Sequence, residues 1–201
     1  MGLNILYCAA LEGLEAKEVE AEISFTKALP AFQITGLAGN AIQESKQRVQ
    51  SSLLANGFKF PPLKIVVNLS PSDLPKQGSF YDLPIALLIA LHGHISEQDD
   101  KRTWFAFGEI GLDGRVTDTP AIYPLLFSLL SKDKNRQSFF LLPKSAENFY
   151  SKIPHLKAYY IDTLQEGIEV LRNPPILSQS YEDLPFLSEE ILGEKYYFST
   201  D

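Results

Sequence analysis

Residues 68–89 read NLSPSDLPKQGSFYDLPIALLI and are the most informative part of the sequence. It begins as the end of a strand, continues as a polar loop rich in proline and glycine, and ends in an apolar helix. Asp82 is a suitable N-cap for that helix, which we expect to span residues 83–92. Such junctions often carry chemistry, because a helix N-terminus offers free N–H groups and the positive end of a dipole. The residues here are bulky and unreactive, which predicts a catalytic scaffold used without its catalysis.

The patterns on either side of this stretch predict an α+β domain. Residues 17–25 alternate apolar and polar side chains, which is typical of a half-solvated antiparallel strand. Residues 104–116 predict a hairpin around a turn at 112–114. Further strands are predicted at 3–10, 31–35, 64–69, 138–142 and 158–161, and further helices at 40–56, 121–131, 144–150 and 164–171. We therefore expect an early antiparallel or mixed sheet with helices on one face, and parallel α/β units at the C-terminal end.

The domain organisation follows from a change in composition near residue 173. Residues 1–172 carry the strand and helix patterns and form one domain in this interpretation. Residues 173–201 begin with the linker-like sequence NPPILSQS and continue as an acidic tail with an aromatic end, YYF. The sequence predicts one domain followed by a linker and tail.

Composition excludes several classes of protein. The formal net charge of −7 argues against a nucleic-acid binder dominated by phosphate contacts, although a local basic face remains compatible with it. The single cysteine, Cys8, lies in an apolar run, so we expect a buried thiol and no intrachain disulfide. No apolar run reaches the ~18 residues of a membrane span, and the N-terminus lacks the charged region of a signal peptide. We expect a cytoplasmic protein.

Metal and phosphate sites are not indicated. Three histidines and one cysteine provide no zinc-binding set, and we expect no metal ligands. No Walker loop is present, so this chain should not bind ATP in that manner. Residues 36–39 precede a helix and fit either a plain turn or a weak site for one anion. We expect no cofactor-binding residue in this chain.

The residues in the central stretch that could serve as nucleophiles are Ser70, Ser72 and Ser79. A working serine needs a base within hydrogen-bonding reach. Lys76 is nearby, but we expect it in an exposed turn, where a solvated ammonium stays charged and is a poor base. The sequence therefore predicts no serine/lysine hydrolase.

Basic residues are scattered along the same part of the chain. They are Lys46, Arg48, Lys59, Lys64 and Lys76. If they share a face, they could contact nucleic acid or an acidic partner. The alternative is scattered solvated charge, and the sequence leaves both open.

Four strings resemble the N-terminal segment of the ComM/YifB family, the magnesium chelatase-like AAA+ ATPases. They are IQESKQRV at 42–49, VNLSPSDLPK at 67–76, DLPIA at 82–86 and GEIGLDGRV at 108–116. The resemblance covers about residues 1–172 in order. It implies a fold like the proteolytic domain of Lon protease, a mixed sheet with helices packed on it.

The same resemblance bears on catalysis. In Lon-type domains the nucleophilic serine lies in a Gly-Pro-Ser loop, and by position its place here is held by Phe80, one residue after Ser79. The place of the Lon lysine falls at about Tyr123. Phenylalanine cannot attack a carbonyl, and tyrosine, with a pKa of about 10, is no substitute for a desolvated lysine. The resemblance therefore implies a domain without catalytic residues.

In function, the resemblance implies a scaffold that supports assembly of a hexameric ATPase ring and guides DNA, which the family associates with branch migration during natural transformation. ATP and Mg would be needed only by the AAA+ module, whose lead-in resembles residues 181–184. Partners would be that module, neighbouring subunits and branched or single-stranded DNA. We expect four residues to contact DNA or a neighbouring subunit: Lys46, Arg48, Lys76 and Arg115.

Two alternatives remain from other functional classes. One is a residual serine hydrolase that uses Ser79 or Ser72. The other is a regulatory protein-interaction module without DNA binding, which would agree with the acidic net charge.

Overall fold

The computed structural model describes residues 5–36, 39–92, 102–132 and 137–174. The strands are β1 (Ile5–Glu12), β2 (Glu15–Thr26), β3 (Ala31–Thr35), β4 (Lys64–Ser70), β5 (Trp104–Ala106), β6 (Glu109–Ile110), β7 (Val116–Thr117), β8 (Phe139–Pro143) and β9 (Lys157–Ile161). The helices are α1 (Asn40–Ala55), α2 (Asp82–Ala90), α3 (Ile122–Leu130), α4 (Glu147–Tyr150) and α5 (Leu164–Arg172).

The main sheet of the described part has seven strands in the order β3-β4-β2-β1-β5-β8-β9. Strand β2 pairs antiparallel with both β1 and β4, and the other pairs are parallel. Six strands therefore end at one edge of the sheet, which we call the carboxyl edge; they begin at the opposite edge, the amino edge. The prediction of a mixed sheet with parallel α/β units at its C-terminal end is confirmed.

The core is formed by the apolar side chains that the sequence pattern predicted to be buried. In β2, Val19, Ala21 and Ile23 are buried while Glu22 and Ser24 are exposed, as predicted from the alternation. Helix α1 ends before Gly57, which has φ +79° and acts as the predicted helix stop. Every residue of α2 is buried, because this helix contacts α1 and α5 as well as the central strands β1 and β2.

The prediction for residues 104–116 is wrong in part. Residues 104–106 form β5, which lies between β1 and β8 in the main sheet and pairs with them in parallel. Only β6 and β7 form the hairpin around residues 112–114, as a separate two-stranded sheet. The reason is burial: all three residues of β5 are apolar and buried, as in a central parallel strand.

Two predictions concern residues that the structure does not cover. The linker and tail at 173–201 lie outside the described residues except for 173 and 174, as do residues 181–184, so the domain boundary at 172 stays a prediction.

Within the described part of the chain, no helix has both the length and the apolar character needed to cross a membrane.

Candidate functional site

The strings quoted above meet around the carboxyl edge and the start of α2. Gly36 follows β3 with φ +96°, and a Cβ atom there would lie 1.9 Å from the carbonyl oxygen of Leu69 in β4. The N–H of Gly39, just before α1, donates to the carbonyl oxygen of Lys76 at 3.0 Å. Only glycine tolerates such an approach with positive φ, so the turn after β3 and the loop after β4 are fixed against each other.

The start of α2 is joined to the fourth string by two backbone hydrogen bonds. The N–H of Gly108 donates to the carbonyl oxygen of Phe80 at 3.0 Å, and the N–H of Leu83 donates to the carbonyl oxygen of Gly108 at 3.0 Å. A short 3-10 turn, Ser79–Tyr81, leads directly into α2. These bonds satisfy an N–H of the first helical turn that a free helix N-terminus would offer to a ligand.

Phe80, at the place of the Lon nucleophile, is a core residue. Its ring is buried, lies 4.5 Å from the ring of Tyr81 and 6.0 Å from that of Phe107 between centroids. Tyr123, near the place of the Lon lysine, is half exposed on α3, and its ring lies 6.3 Å from that of Tyr150. The Phe80 ring has no nucleophilic group, and the Tyr123 phenol does not replace the lysine amine of a Lon-type pair.

Asp82 is not the N-cap that the sequence predicted. It lies inside the first turn of α2, because the 3-10 turn has already begun the helical path. Its fully buried carboxylate accepts hydrogen bonds from Arg48 Nε at 2.7 Å and Nη2 at 3.1 Å, and from the N–H of Ile110 at 3.3 Å. Burial raises the pKa of Asp82, and the Arg48 guanidinium opposes that shift. The pair joins α1, α2 and β6.

Lys76 is not in an exposed turn, as the sequence predicted, but fully buried. Its Nζ donates to the carbonyl oxygen of Pro71, which closes the loop on itself. Burial lowers the pKa of Lys76, and the Asp73 carboxylate opposes the shift. The apolar neighbours Leu74 and Cys8 are also buried. Burial raises the pKa of the Cys8 thiol, and the nearby charge of Lys76 opposes this shift only in part. The expectation of a buried thiol is confirmed.

Two of the three candidate serines have hydrogen-bonding partners, and the third is exposed. The Ser79 hydroxyl donates to the Glu109 carboxylate, and the Ser70 hydroxyl accepts a hydrogen bond from Asn68 at 3.0 Å. Ser72 is exposed. Among the described residues, Lys76 and Ser79 each have a partner of their own, and neither is bonded to the other.

The four predicted contact residues do not form one surface. Arg48 is used in the pair with Asp82, and Lys76 is buried. Arg115 is 79% exposed at the tip of the β6–β7 hairpin, 3.2 Å from Asp113, while Lys46 lies over the ring of Phe32 on another part of the domain. Whether the exposed residues contact a partner stays a prediction.

Sequence reasoning missed the role of Glu109. A signal was present, since Glu109 belongs to the string GEIGLDGRV, but its partner Ser79 lies 30 residues away and only the fold brings the two together. The described residues also contain no group of three or more His, Cys, Asp or Glu side chains placed to hold a metal ion.

The structure is a mostly parallel α/β sheet with these strings around its carboxyl edge. The family model described as "Subunit ChlI of Mg-chelatase" matches residues 19–146, more than half of the 201 residues. The chain belongs to this Mg-chelatase-like family.

Within that class, the chain is similar to particular proteins. It is 29% identical to the competence protein ComM of Haemophilus influenzae over 200 residues, 99% of this chain and 37% of that protein. It is 32% identical to YifB of Escherichia coli over 120 residues, 60% of this chain and 24% of that protein. It is 33% identical to the protein Rv2897c of Mycobacterium tuberculosis over 134 residues, 64% of this chain and 25% of that protein. The resemblance to the ComM/YifB family is confirmed, and the chain spans about a quarter to just over a third of these relatives.

Proposed function

We propose that this chain acts as a Lon-like scaffold domain without catalytic activity in a ComM-type AAA+ protein. In this proposal the ATPase activity belongs to the AAA+ module, and the domain supports assembly of a ring and guides DNA through it. We place the protein in the cytoplasm, where a single buried thiol needs no disulfide partner. The proposal rests on family membership together with the state of the central loop.

The observation that carries the proposal is that the polar groups of the loop have partners inside the domain. Lys76 Nζ is bonded to Pro71, the Ser79 hydroxyl to Glu109, and the Asp82 carboxylate to Arg48. The place of the nucleophile is filled by a buried aromatic ring. A Lon-type hydrolase pairs its serine hydroxyl with a lysine amine, whereas here Ser79 is bonded to Glu109 and Lys76 to Pro71. This arrangement supports a structural role for the loop in place of a catalytic one.

The experiment is to label the chain with a serine-reactive fluorophosphonate and measure its intact mass. We expect no modification of the wild-type protein, of Ser79→Ala or of Ser72→Ala. Modification of the wild-type chain that disappears in Ser79→Ala or in Ser72→Ala would instead support the residual hydrolase.

The alternative of a protein-interaction module without DNA binding agrees with the acidic character of one part of the surface. A cleft of about 340 Å³ at the carboxyl edge is lined by Glu12, Glu18 and Asp73 together with Lys17 and Lys132. Both lysines have partners inside the domain, Lys17 with Glu12 and Glu15, and Lys132 with the carbonyl oxygen of Ala16. With three carboxylates and two paired lysines, this cleft has no excess of positive charge to attract nucleic-acid phosphates. A DNA-guiding role therefore requires a different surface.

A further inference from the structure

A second cleft lies where α1 and α2 end, and its volume is about 330 Å³. Its lining includes Leu53 from α1, Ile89 from α2, and Phe58 and Phe60 from the segment between α1 and β4. Phe58 and Phe60 are half-buried, so part of each ring is accessible. A cleft of this volume with apolar walls suits one or two apolar side chains, because covering the rings removes apolar surface from water.

Other aromatic rings support the walls of this cleft. The ring of Phe60 lies 6.1 Å from that of Phe32 between centroids. The ring of His92, which also lines the cleft, is stacked 3.4 Å from that of Phe25, near the end of β2. Since β2 is antiparallel to its neighbours, its end lies at the amino edge of the sheet, and so does the cleft. Because these rings rest on other rings, the cleft has its shape before any occupant enters it, which lowers the entropic cost of docking.

Helix α5 ends close to this cleft. A Cβ atom on Gly167 of α5 would lie 3.2 Å from Leu87 of α2 and 3.0 Å from Ile161 of β9, so α5 and α2 are neighbours on one face of the sheet. Both helices run from the carboxyl edge toward the amino edge, and these two residues lie five and three positions before the helices end at Arg172 and Ala90. With a rise of about 1.5 Å per residue, the two helices end within one turn of each other. The chain therefore leaves α5 about one interhelical distance, roughly 10 Å, from the end of α2.

The sequence that follows contains an apolar segment within reach of the cleft. The chain continues for 27 residues beyond residue 174, and residues 181–190 read YEDLPFLSEE. The apolar residues 184–187, LPFL, are ten to thirteen positions after residue 174. Ten residues span up to about 33 Å when extended, which exceeds the distance across α2 to the cleft.

Charge and composition favour this segment as the occupant. Two acidic residues precede LPFL and two follow the serine after it, and residues 175–201 carry six carboxylates and one lysine, a net charge of −5. No carboxylate is among the described residues that line the cleft, and the charged side chain in that lining is Lys59. Residues 93–101, which follow α2, read GHISEQDDK and offer one apolar side chain, that of Ile95.

We propose that residues 184–187 of the chain dock in its own cleft at the ends of α1 and α2. Leu184 and Phe186 enter beside the rings of Phe58 and Phe60, and the acidic residues on either side approach Lys59 at the rim. Pro185 favours this mode, because the residue before a proline prefers an extended backbone, in which residues 184 and 186 project to the same side. The contact fixes where residues 188–201 leave the domain, and it does not depend on the proposed scaffold function.

The test is hydrogen–deuterium exchange of the full chain, measured by mass spectrometry of peptides that cover residues 181–190. Phe186→Ser removes the ring from the segment without changing the domain, and its control is Phe198→Ser, the same change outside the segment. Phe60→Ser alters the cleft, and its control is Phe127→Ser on α3, where the side chain is 62% exposed. Lys59→Glu, at an exposed position, tests the cleft without disturbing the core, and its control is Lys152→Glu in the turn before β9.

We expect exchange in residues 181–190 to be at least about tenfold slower in the wild type than in Phe186→Ser and Phe60→Ser, because a docked segment exchanges only when it opens. Lys59→Glu should speed this exchange by roughly threefold, as for the loss of a partly exposed charge pair. The three control variants should exchange like the wild type. Equal exchange in the wild type and Phe186→Ser would overturn the inference, as would slow exchange that survives both Phe60→Ser and Lys59→Glu.

Protein concentration separates docking within one chain from docking between two copies. We expect the same exchange rates at about 1 and about 50 μM protein, because the tether sets the effective concentration of the segment. Protection that grows with protein concentration would assign the cleft to the segment of a second copy and would overturn docking within the chain. The phosphonate-labelling result is independent of these rates, so failure of the docked segment and failure of the non-catalytic scaffold are distinguishable.

Discussion

Lys76 and Asp82 are charged residue types with no exposed side-chain surface, and each has a partner that the local sequence does not reveal. Lys76 bonds to the carbonyl oxygen of Pro71, and Asp82 bonds to Arg48, which lies 34 residues earlier. Buried charges persist only where hydrogen bonds or an opposite charge offset the loss of water. At the residue scale, the central loop is therefore held in place by polar side chains of the types that could also be catalytic.

Removal of Arg48 tests the ion pair with Asp82. Arg48→Ala leaves the Asp82 carboxylate without its charged partner, and we expect a loss of about 3 kcal/mol in the free energy of unfolding by urea denaturation. Gln47→Ala, an exposed position on the same helix, is the control and should change it by less than about 0.5 kcal/mol. Equal effects of the two substitutions would show that the pair contributes nothing specific.

The pH dependence of stability tests the burial of Lys76. Its pKa in the folded chain is lowered from the usual 10.5, so between the two values the unfolded chain binds more protons. The free energy of unfolding therefore rises with pH in that window. We expect the wild type to gain stability relative to Lys76→Met as the pH rises toward 10.5, because the effect of pH on the other groups is common to both proteins. A difference that stays constant or falls with pH would contradict the burial of a titrating amine.

At the scale of elements, the turn after β3 is fixed by sterics more than by hydrogen bonding. Gly36 combines φ +96° with a backbone approach that leaves no room for a Cβ atom, whereas Gly57 has φ +79° and open space around it. The two glycines separate the cost of a strained backbone from the cost of a clash.

Alanine substitution at these glycines makes that separation measurable. Gly57→Ala forces alanine into a positive φ without a clash, which should lower the free energy of unfolding by about 1–2 kcal/mol. Gly36→Ala must also move β3 or β4 apart, and we expect a loss greater than about 4 kcal/mol or a failure to fold. Thermal and urea unfolding of both variants provide the measurement, and similar losses at the two positions would contradict the close approach.

Most elements could be predicted because their signals are local. The alternation in β2 and the glycine after α1 identify their elements without any knowledge of the fold. The exception, β5, is three apolar residues long, and its assignment depends on the parallel strands on either side of it. The start of α2 was placed one residue late because the 3-10 turn before it has no sequence signal of its own.

At the scale of the whole molecule, the two edges of the sheet have different characters. The carboxyl edge carries the loop after β4 and a cleft lined by three carboxylates and two lysines, while the cleft where α1 and α2 end is lined by Phe58, Phe60 and Lys59. The central loop could be located from sequence, since its strings are contiguous. Its internal pairs, such as Ser79 with Glu109, could not, because they join residues that are distant in sequence.

The grouping of basic residues was open at the sequence level for the same reason. The sequence placed Lys46, Arg48, Lys59, Lys64 and Lys76 in a single candidate set. The structure separates Arg48 and Lys76, whose side chains have partners in the domain, from Lys59, which lines the cleft where α1 and α2 end, and from Lys46, which lies over the ring of Phe32. Charge alone does not reveal burial, and burial decides which lysines can contact a ligand.

The closure of the central loop can be measured by the rate at which each lysine of the native chain reacts with an amine-acetylating reagent, followed by peptide mass spectrometry. If the central loop is closed by internal bonds, Lys76 reacts at least about tenfold more slowly than exposed lysines such as Lys59 and Lys152, and becomes reactive only on unfolding. A Lys76 amine that reacts as fast as those lysines, or faster, would contradict the account, because it would be accessible and available as a base.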